Sequence, residues 1–195
     1  MVIQRARVDH AAVAAAARAV PGRWTFAGLY TSLKGADGAA RRVAFADRMP
    51  SYQPAGGFEA YAVTCVDGPV VWVRSTEGGP YPRLPERMTV RIPAVVGLDH
   101  REAGTLTVSV RPFCPVCGGP RGWEHVHPAE VRFRNVSVTA DRWSNPCGHV
   151  DVYADVLEES RRTPAVVGQS AARFLTVEGA ARRTSPRFVR QEAHA

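Results

Sequence analysis

The sequence has no long apolar run, almost no lysine and few cysteines. No hydrophobic stretch approaches the ~20 residues that cross a bilayer, so we expect no membrane span. Hydrophobic residues make up 45% of the 195 positions and charged residues 22%, which is typical of a globular chain with a core of its own. Lys34 is the one lysine beside 24 arginines, a bias that indicates a GC-rich coding genome rather than a binding preference.

A convincing export signal is also lacking. Arg5 and Arg7, followed by the alanine-rich stretch 11–17, imitate one, but alanine is only weakly hydrophobic. The same residues are better read as a helix from His10 to Ala19 that Asp9 caps, because alanine is the strongest helix former. We therefore expect a cytoplasmic protein.

The net charge of +7 is unevenly distributed. From Arg161 to Ala195, seven arginines stand against two glutamates, so this segment carries +5 of the total. We expect any general affinity for polyanions to lie in this tail.

The first half of the chain reads as mixed helix and strand. Residues 24–30 alternate as a strand does, residues 34–38 read as a loop, and a helix is expected over 39–46 because Gly35 and Gly38 disfavour an earlier start. Residues 58–66 and 70–74 flank Asp67-Gly68, a pair typical of tight hairpin turns.

Glycines and prolines over 78–85 predict a boundary, after which strands follow. Residues 90–92 and 105–110 alternate, and residues 130–138 read as a further strand that ends at a turn over 139–141.

The cysteines carry the clearest chemical signal. Cys114 and Cys117 enclose Pro-Val, too close for an ordinary structural disulfide, and such a pair in a chain without an export signal more often binds metal. Gly118 can adopt a left-handed conformation that turns backbone N–H groups toward the thiolates. Cys147 and His149 follow later and flank Gly148, so both can point to one side. We predict Zn²⁺ bound by Cys114, Cys117, Cys147 and His149.

The fourth ligand stays open at this point. His125 and His127, which would share one face of a strand, are competing ligands, and Cys65 is a weaker one because it also reads as a small buried hydrophobe.

Residues 114–149 resemble a zinc ribbon. The Cys-Pro-Val-Cys-Gly-Gly turn matches the first knuckle of that class, whereas Cys147-Gly148-His149 departs from it, because the second pair of ligands is normally two residues apart. The resemblance implies a structural zinc ion and a β-hairpin module.

A second resemblance is to HNH nucleases. It is carried by Glu124-His125-Val126-His127-Pro128 between the cysteine turns and implies His125 as the base and His149 as a ligand of a catalytic cation. Asn135 or Asn145 would take the middle role. One His149 cannot serve both sites.

Together these observations predict an α+β protein with mostly antiparallel strands, one to three helices and a zinc-stabilised β-hairpin module. We expect an α+β subdomain over 1–85, the zinc-binding module over 86–161 and a basic, flexible tail over 162–195. The expected function is non-catalytic recognition, with DNA or RNA as the first partner through the arginine-rich tail. A protein–protein adaptor and a degenerate metal-dependent nuclease are the alternatives. Four tryptophans offer rings that could stack on bases. Trp24 and Trp72 lie in apolar strand contexts and are better read as core, whereas Trp123 and Trp143 flank the metal turns and are expected to pack over the zinc.

Overall fold

A computed structural model describes residues 8–96 and 102–162. The described part is an α+β protein, as predicted, and its strands pair antiparallel in one sheet of three strands and two hairpins. The expected basic tail lies outside the described residues from 163 onward. In order, the elements are α1 His10–Ala19, β1 Thr25–Leu29, α2 Leu33–Phe45, β2 Phe58–Cys65, β3 Gly68–Ser75, β4 Met88–Val96, β5 Glu102–Val110, β6 His127–Phe133, β7 Val136–Arg142 and α3 Tyr153–Arg162, with short 3-10 turns at Pro50–Tyr52 and Trp123–His125.

The three-stranded sheet has the order β1-β3-β2, with the long β3 in the centre. The predicted β2–β3 hairpin is confirmed: Cys65 pairs with Gly68, whose φ of 118° requires a residue without a side chain. Helices α1 and α2 cover one face of this sheet with small side chains, because alanines let a helix approach a sheet closely. This core contains Ala14, Ala17, Ala36, Ala39, Ala40, Val43, Ala60, Ala62, Val71 and Val73.

Helix α1 has the predicted bounds, and the Asp9 carboxylate accepts hydrogen bonds from Ala11 N and Ala12 N at 3.0 Å. The loop expected over 34–38 is wrong. Helix α2 begins at Leu33, capped by the Ser32 hydroxyl, which accepts from Gly35 N at 3.1 Å. Burial of its alanine face against the sheet outweighs the cost of two glycines, ~1 kcal/mol each.

The opposite face of the sheet is lined with larger side chains. Tyr61, Val63, Val70 and Trp72 alternate with the residues that face the helices, as the period of two in a strand requires. Leu84 and Phe113 pack on this face, so chain from beyond residue 80 covers it.

The remaining strands form two hairpins, and the β4–β5 hairpin shares a core with α3. Val90, Ile92, Val110 and Val156 are fully buried there. A single strand over 130–138 with a turn at 139–141 is wrong: β6 and β7 pair instead, and the turn lies at Arg134 and Asn135, whose φ angles are 48° and 65°. Val131 and Val138 therefore face each other across the hairpin.

Among the described residues, no helix is long and apolar enough to span a membrane. The division into 1–85 and 86–161 stays a prediction.

Candidate metal centre

Four side chains from two distant turns meet at one point. One sulfur from each of three cysteines and one imidazole nitrogen all lie within 4.8 Å of one another. The first cysteine is buried, the other two are half-buried and the histidine is exposed. The structure thus brings together all four residues that the sequence singled out: Cys114, Cys117, Cys147 and His149.

The first turn, residues 114–119, is closed by its own backbone. Gly118 N donates to Cys114 O at 2.8 Å, and Cys114 N donates to Gly119 O at 2.7 Å. Gly118 has the left-handed φ of 72° that the sequence predicted, and Gly119 N then donates to the sulfur of Cys117 at 3.4 Å. The backbone therefore supports a negative charge on a sulfur.

Three hydrogen bonds fix the first turn to the β2–β3 hairpin. The Tyr61 hydroxyl donates to Gly118 O at 3.0 Å, the Trp72 indole donates to Cys117 O at 3.2 Å, and Val66 N donates to Pro115 O at 3.1 Å. The fit leaves no room for a side chain at Gly118, where an added Cβ would lie 2.6 Å from Val70. The N-terminal sheet thus positions two of the four donors.

The second turn, residues 145–149, is organised by Asn145. Gly148 N donates to Asn145 O at 2.9 Å with Gly148 at a φ of 82°, which places Cys147 and His149 on either side of the bend. The Asn145 amide donates to His149 O at 2.8 Å, and its oxygen accepts from Gly122 N at 3.1 Å. Asn145 is itself buried.

A buried ionic network lies behind the second turn. Asp151 accepts hydrogen bonds from the side chains of Arg121, Trp143 and Asn145 at 2.7–2.9 Å. Arg121 also donates to Glu159 on α3 at 3.0 Å. The network therefore joins the second turn to the C-terminal helix.

Burial of the sulfurs opposes their ionisation. It raises the pKa of Cys114, and it raises the pKa of Cys117 to about 12 although Gly119 N stabilises the thiolate. A bound cation reverses this preference, because a coordinated thiol loses its proton. The site thus favours thiolates when it holds a metal ion.

The donor set fits zinc. With Zn–S bonds of about 2.3 Å, a tetrahedral site separates two sulfurs by roughly 3.8 Å, so donors within 4.8 Å of each other need only small adjustments. Three thiolates and one imidazole are a common ligand set of structural zinc sites. The four residues could hold the ion without a ligand from solvent.

The competing ligands lie outside this cluster. His125 ends a 3-10 turn and is not on a strand; His127 is the first residue of β6, and its Nδ1 lies 3.0 Å from His125 O. The expectation that the two histidines share a strand face is therefore wrong. Cys65 is half-buried, and its sulfur lies 3.3 Å from Gly68 O.

Two of the side chains that a second cation could use are engaged in hydrogen bonds. Asn145 donates to Asp151 and accepts from Gly122 N, and Asp151 also accepts from Arg121. Asn135 lies in the β6–β7 turn. His149 belongs to the four-residue cluster.

Comparison with known proteins finds no match: no family model, no curated protein and no solved structure resembles the chain. The zinc-ribbon class stays a prediction that rests on residues 114–149.

The sequence interpretation missed the roles of Arg121, Asp151 and Glu159. Arg121 lies 30 positions before Asp151 and 38 before Glu159, and no local sequence pattern predicts contacts between residues so far apart. Asn145 offered a weak signal, because Asn before Pro is typical of a turn.

Proposed function

We propose that this protein is a non-catalytic recognition protein, stabilised by one zinc ion, that binds nucleic acid. The observation that carries the zinc role is the closed set of four donors held by two turns. Hydrogen bonds hold each turn in place: the first turn is bonded to the sheet, and the second to Asn145 and the ionic network. A preorganised site with four protein donors leaves no position for a reacting water, which favours architecture over catalysis.

The distribution of charge supports nucleic acid as the partner. The chain carries +7, and +5 of this belongs to residues 161–195. Arginines bind phosphates through charge and paired hydrogen bonds, and this contact is independent of base sequence. We expect binding that weakens steeply as salt is raised.

The zinc role is tested by metal analysis of the purified full-length protein. We expect one zinc per chain. When Co²⁺ replaces the zinc, the absorption spectrum should show bands of cobalt bound to thiolate. Cys117→Ser and Cys147→Ser should lose the metal, whereas the matched variants Cys65→Ser and His125→Ala should keep it. Zinc retained in Cys147→Ser and lost in His125→Ala would overturn the assignment.

Partner choice is tested by fluorescence anisotropy with labelled single- and double-stranded oligonucleotides at stepped salt. We expect the affinity to fall linearly with salt on a log–log scale, with a slope of about 0.7–0.9 per phosphate contact. Replacing five tail arginines by glutamine should flatten that slope: Arg173, Arg182, Arg183, Arg187 and Arg190. The control replaces five exposed arginines outside the tail: Arg41, Arg42, Arg48, Arg132 and Arg134.

Two outcomes would redirect the proposal. Absence of binding at low salt, with zinc retained, would reject nucleic acid and leave the protein–protein adaptor. Cleavage of the oligonucleotide with Mg²⁺ or Mn²⁺ that His125→Ala abolishes would reject the non-catalytic role.

A further inference from the structure

An open groove of about 540 Å³ lies between the N-terminal sheet and the second turn. Strand β1 and the end of α1 contribute to one side, while residues 120–125, with Pro146 and Cys147, contribute to the other. Its volume is within the range of about 300–1,000 Å³ in which proteins bind small ligands.

Four aromatic side chains line part of the groove. Three of the four tryptophans noted in the sequence meet here, together with Phe26, whereas Trp143 lies elsewhere and packs against Tyr153. Phe26 pairs with Trp72 across the sheet, and their ring centroids are 5.6 Å apart. Phe26 is 48% exposed, and Trp24 and Trp123 are half-buried. Such exposure leaves aromatic surface for a ligand.

These rings are held in place by their neighbours. The Arg74 guanidinium lies 4.7 Å from the centroid of the Trp24 ring, and the Trp72 indole donates to Cys117 O. Phe26 packs on Trp72, and Trp123 packs on the buried cluster that contains Trp72, so little side-chain entropy is lost when a flat ligand binds.

The charged side chains of the groove differ in whether they are free to bind a ligand. Arg74 is paired with Glu59, and Arg121 with Asp151 and Glu159, so neither guanidinium has much capacity left for a ligand. Arg23 is exposed, and so is Glu124. An exposed cation beside aromatic rings fits a ligand with a flat ring and an anionic group. A carboxylate also accepts hydrogen bonds from exocyclic amino groups of bases.

We infer that this groove binds a nucleotide unit of single-stranded nucleic acid. The base stacks on Phe26 and Trp123, and Arg23 contacts the phosphate. Stacking on aromatic side chains combined with a cation is the usual way in which proteins hold unpaired strands. A duplex keeps its bases stacked on each other, so we expect single strands to bind more tightly. This inference rests on the proposed nucleic-acid binding and gives it a site in the folded part of the chain.

The metal cluster contributes to the same groove. Cys147 lines it, and Trp72 is hydrogen-bonded to the turn that holds Cys117. Removal of the metal would break the link between the two turns, and the second turn lines one wall of the groove. We therefore expect nucleotide affinity to depend on zinc.

The test uses the zinc-loaded, full-length protein and its tryptophan fluorescence. Titration with a single-stranded octanucleotide should quench the fluorescence, and a nucleoside monophosphate should do so more weakly. Phe26→Leu keeps an apolar side chain but removes the ring, and we expect affinity for the octanucleotide to fall about tenfold. Arg23→Gln should weaken binding and reduce its salt dependence.

Matched controls are Phe133→Leu and Arg41→Gln, which change the same residue types outside the groove. Circular dichroism and zinc content establish that each variant folds. Equal affinity of the groove variants and their controls would overturn the inference.

The variant with five tail arginines replaced separates the two proposals. If it loses strand binding while Phe26→Leu and Arg23→Gln bind normally, the groove is rejected and the proposed function stands. If groove variants weaken binding of the monophosphate while no strand binds, the groove is supported with a free nucleotide as its ligand, and the proposed function is rejected. If neither ligand quenches the fluorescence, both proposals are rejected.

Discussion

The guanidinium of Arg121 donates two hydrogen bonds to the carboxylate of Asp151, at 2.9 and 2.8 Å. The two side chains are 1% and 6% exposed. Burial tends to raise the pKa of Asp151, but the hydrogen bonds and charge of Arg121 outweigh it and lower that pKa. The pair is therefore ionised in the fold, and it lies directly behind the turn that carries Cys147 and His149.

Asp151→Asn should destabilise the protein by about 3 kcal/mol. The change keeps the shape of the side chain but leaves Arg121 with Glu159 as its one carboxylate partner among those the structure describes, and breaking a buried pair typically costs 3–5 kcal/mol. We also expect roughly tenfold weaker zinc binding, because the second turn loses a support. Urea denaturation and competition with a chelator measure the two effects.

The exposed Asp155 on α3 provides the matched control. Asp155→Asn should change the free energy of unfolding by less than about 0.5 kcal/mol. Equal effects of the two substitutions would show that the buried pair contributes nothing specific.

The four clustered side chains could be predicted from the sequence because their chemistry is local. Cys114 and Cys117 share one turn, Cys147 and His149 share another, and each pair already limits where its donors can point. The sequence also favoured His149 over His125, because His149 lies two residues from Cys147. The hydrogen bonds that hold this turn could not be predicted, since the Asn145 side chain binds the backbone of both Gly122 and His149.

The fold was predictable where local signals and packing agree. Asp67-Gly68 marks the β2–β3 hairpin, and Asp9 marks the start of α1. Helix α2 was misjudged because burial of its alanines, a tertiary effect, overrides the local cost of Gly35 and Gly38. The β6–β7 turn was missed because Arg134, a residue that rarely adopts positive φ, forms half of it.

Gly118→Ala should be more harmful than Gly148→Ala. Both glycines have left-handed φ angles, 72° and 82°, at which alanine costs roughly 1–2 kcal/mol. At Gly118 the added Cβ would also lie 2.6 Å from Val70 and 2.8 Å from Val63, whereas at Gly148 it meets nothing within 4 Å. The overpacking should add about 1–3 kcal/mol.

Urea denaturation of the zinc-loaded variants measures this difference. The two substitutions are matched in residue type and in backbone conformation, so the difference reports contact with the sheet. Equal losses of stability would mean that the first turn does not pack as closely on β2 and β3 as the structure indicates.

Asp141 should contribute to stability in a way that depends on pH. Its carboxylate accepts from Arg91 N at 2.7 Å and from the Arg91 guanidinium at 2.7 and 3.1 Å. Burial tends to raise the pKa of Asp141, but these hydrogen bonds outweigh it and lower that pKa below its ordinary value. The stabilisation is therefore present above the unfolded pKa and is lost as pH falls through the folded pKa.

Asp141→Asn cannot titrate, so the gap in unfolding free energy between it and the original protein should shrink in acid. We expect a gap of about 1 kcal/mol at pH 7, a modest value because the Arg91 side chain is 43% exposed. The gap should narrow below pH 4, close to the unfolded pKa of about 3.9. Loss of the metal in acid affects both proteins alike and cancels in the difference. Urea denaturation from pH 3 to pH 7 measures the gap, with Asp47→Asn at an exposed site as control. A gap that does not narrow below pH 4 would contradict the assigned role of the Arg91 hydrogen bonds.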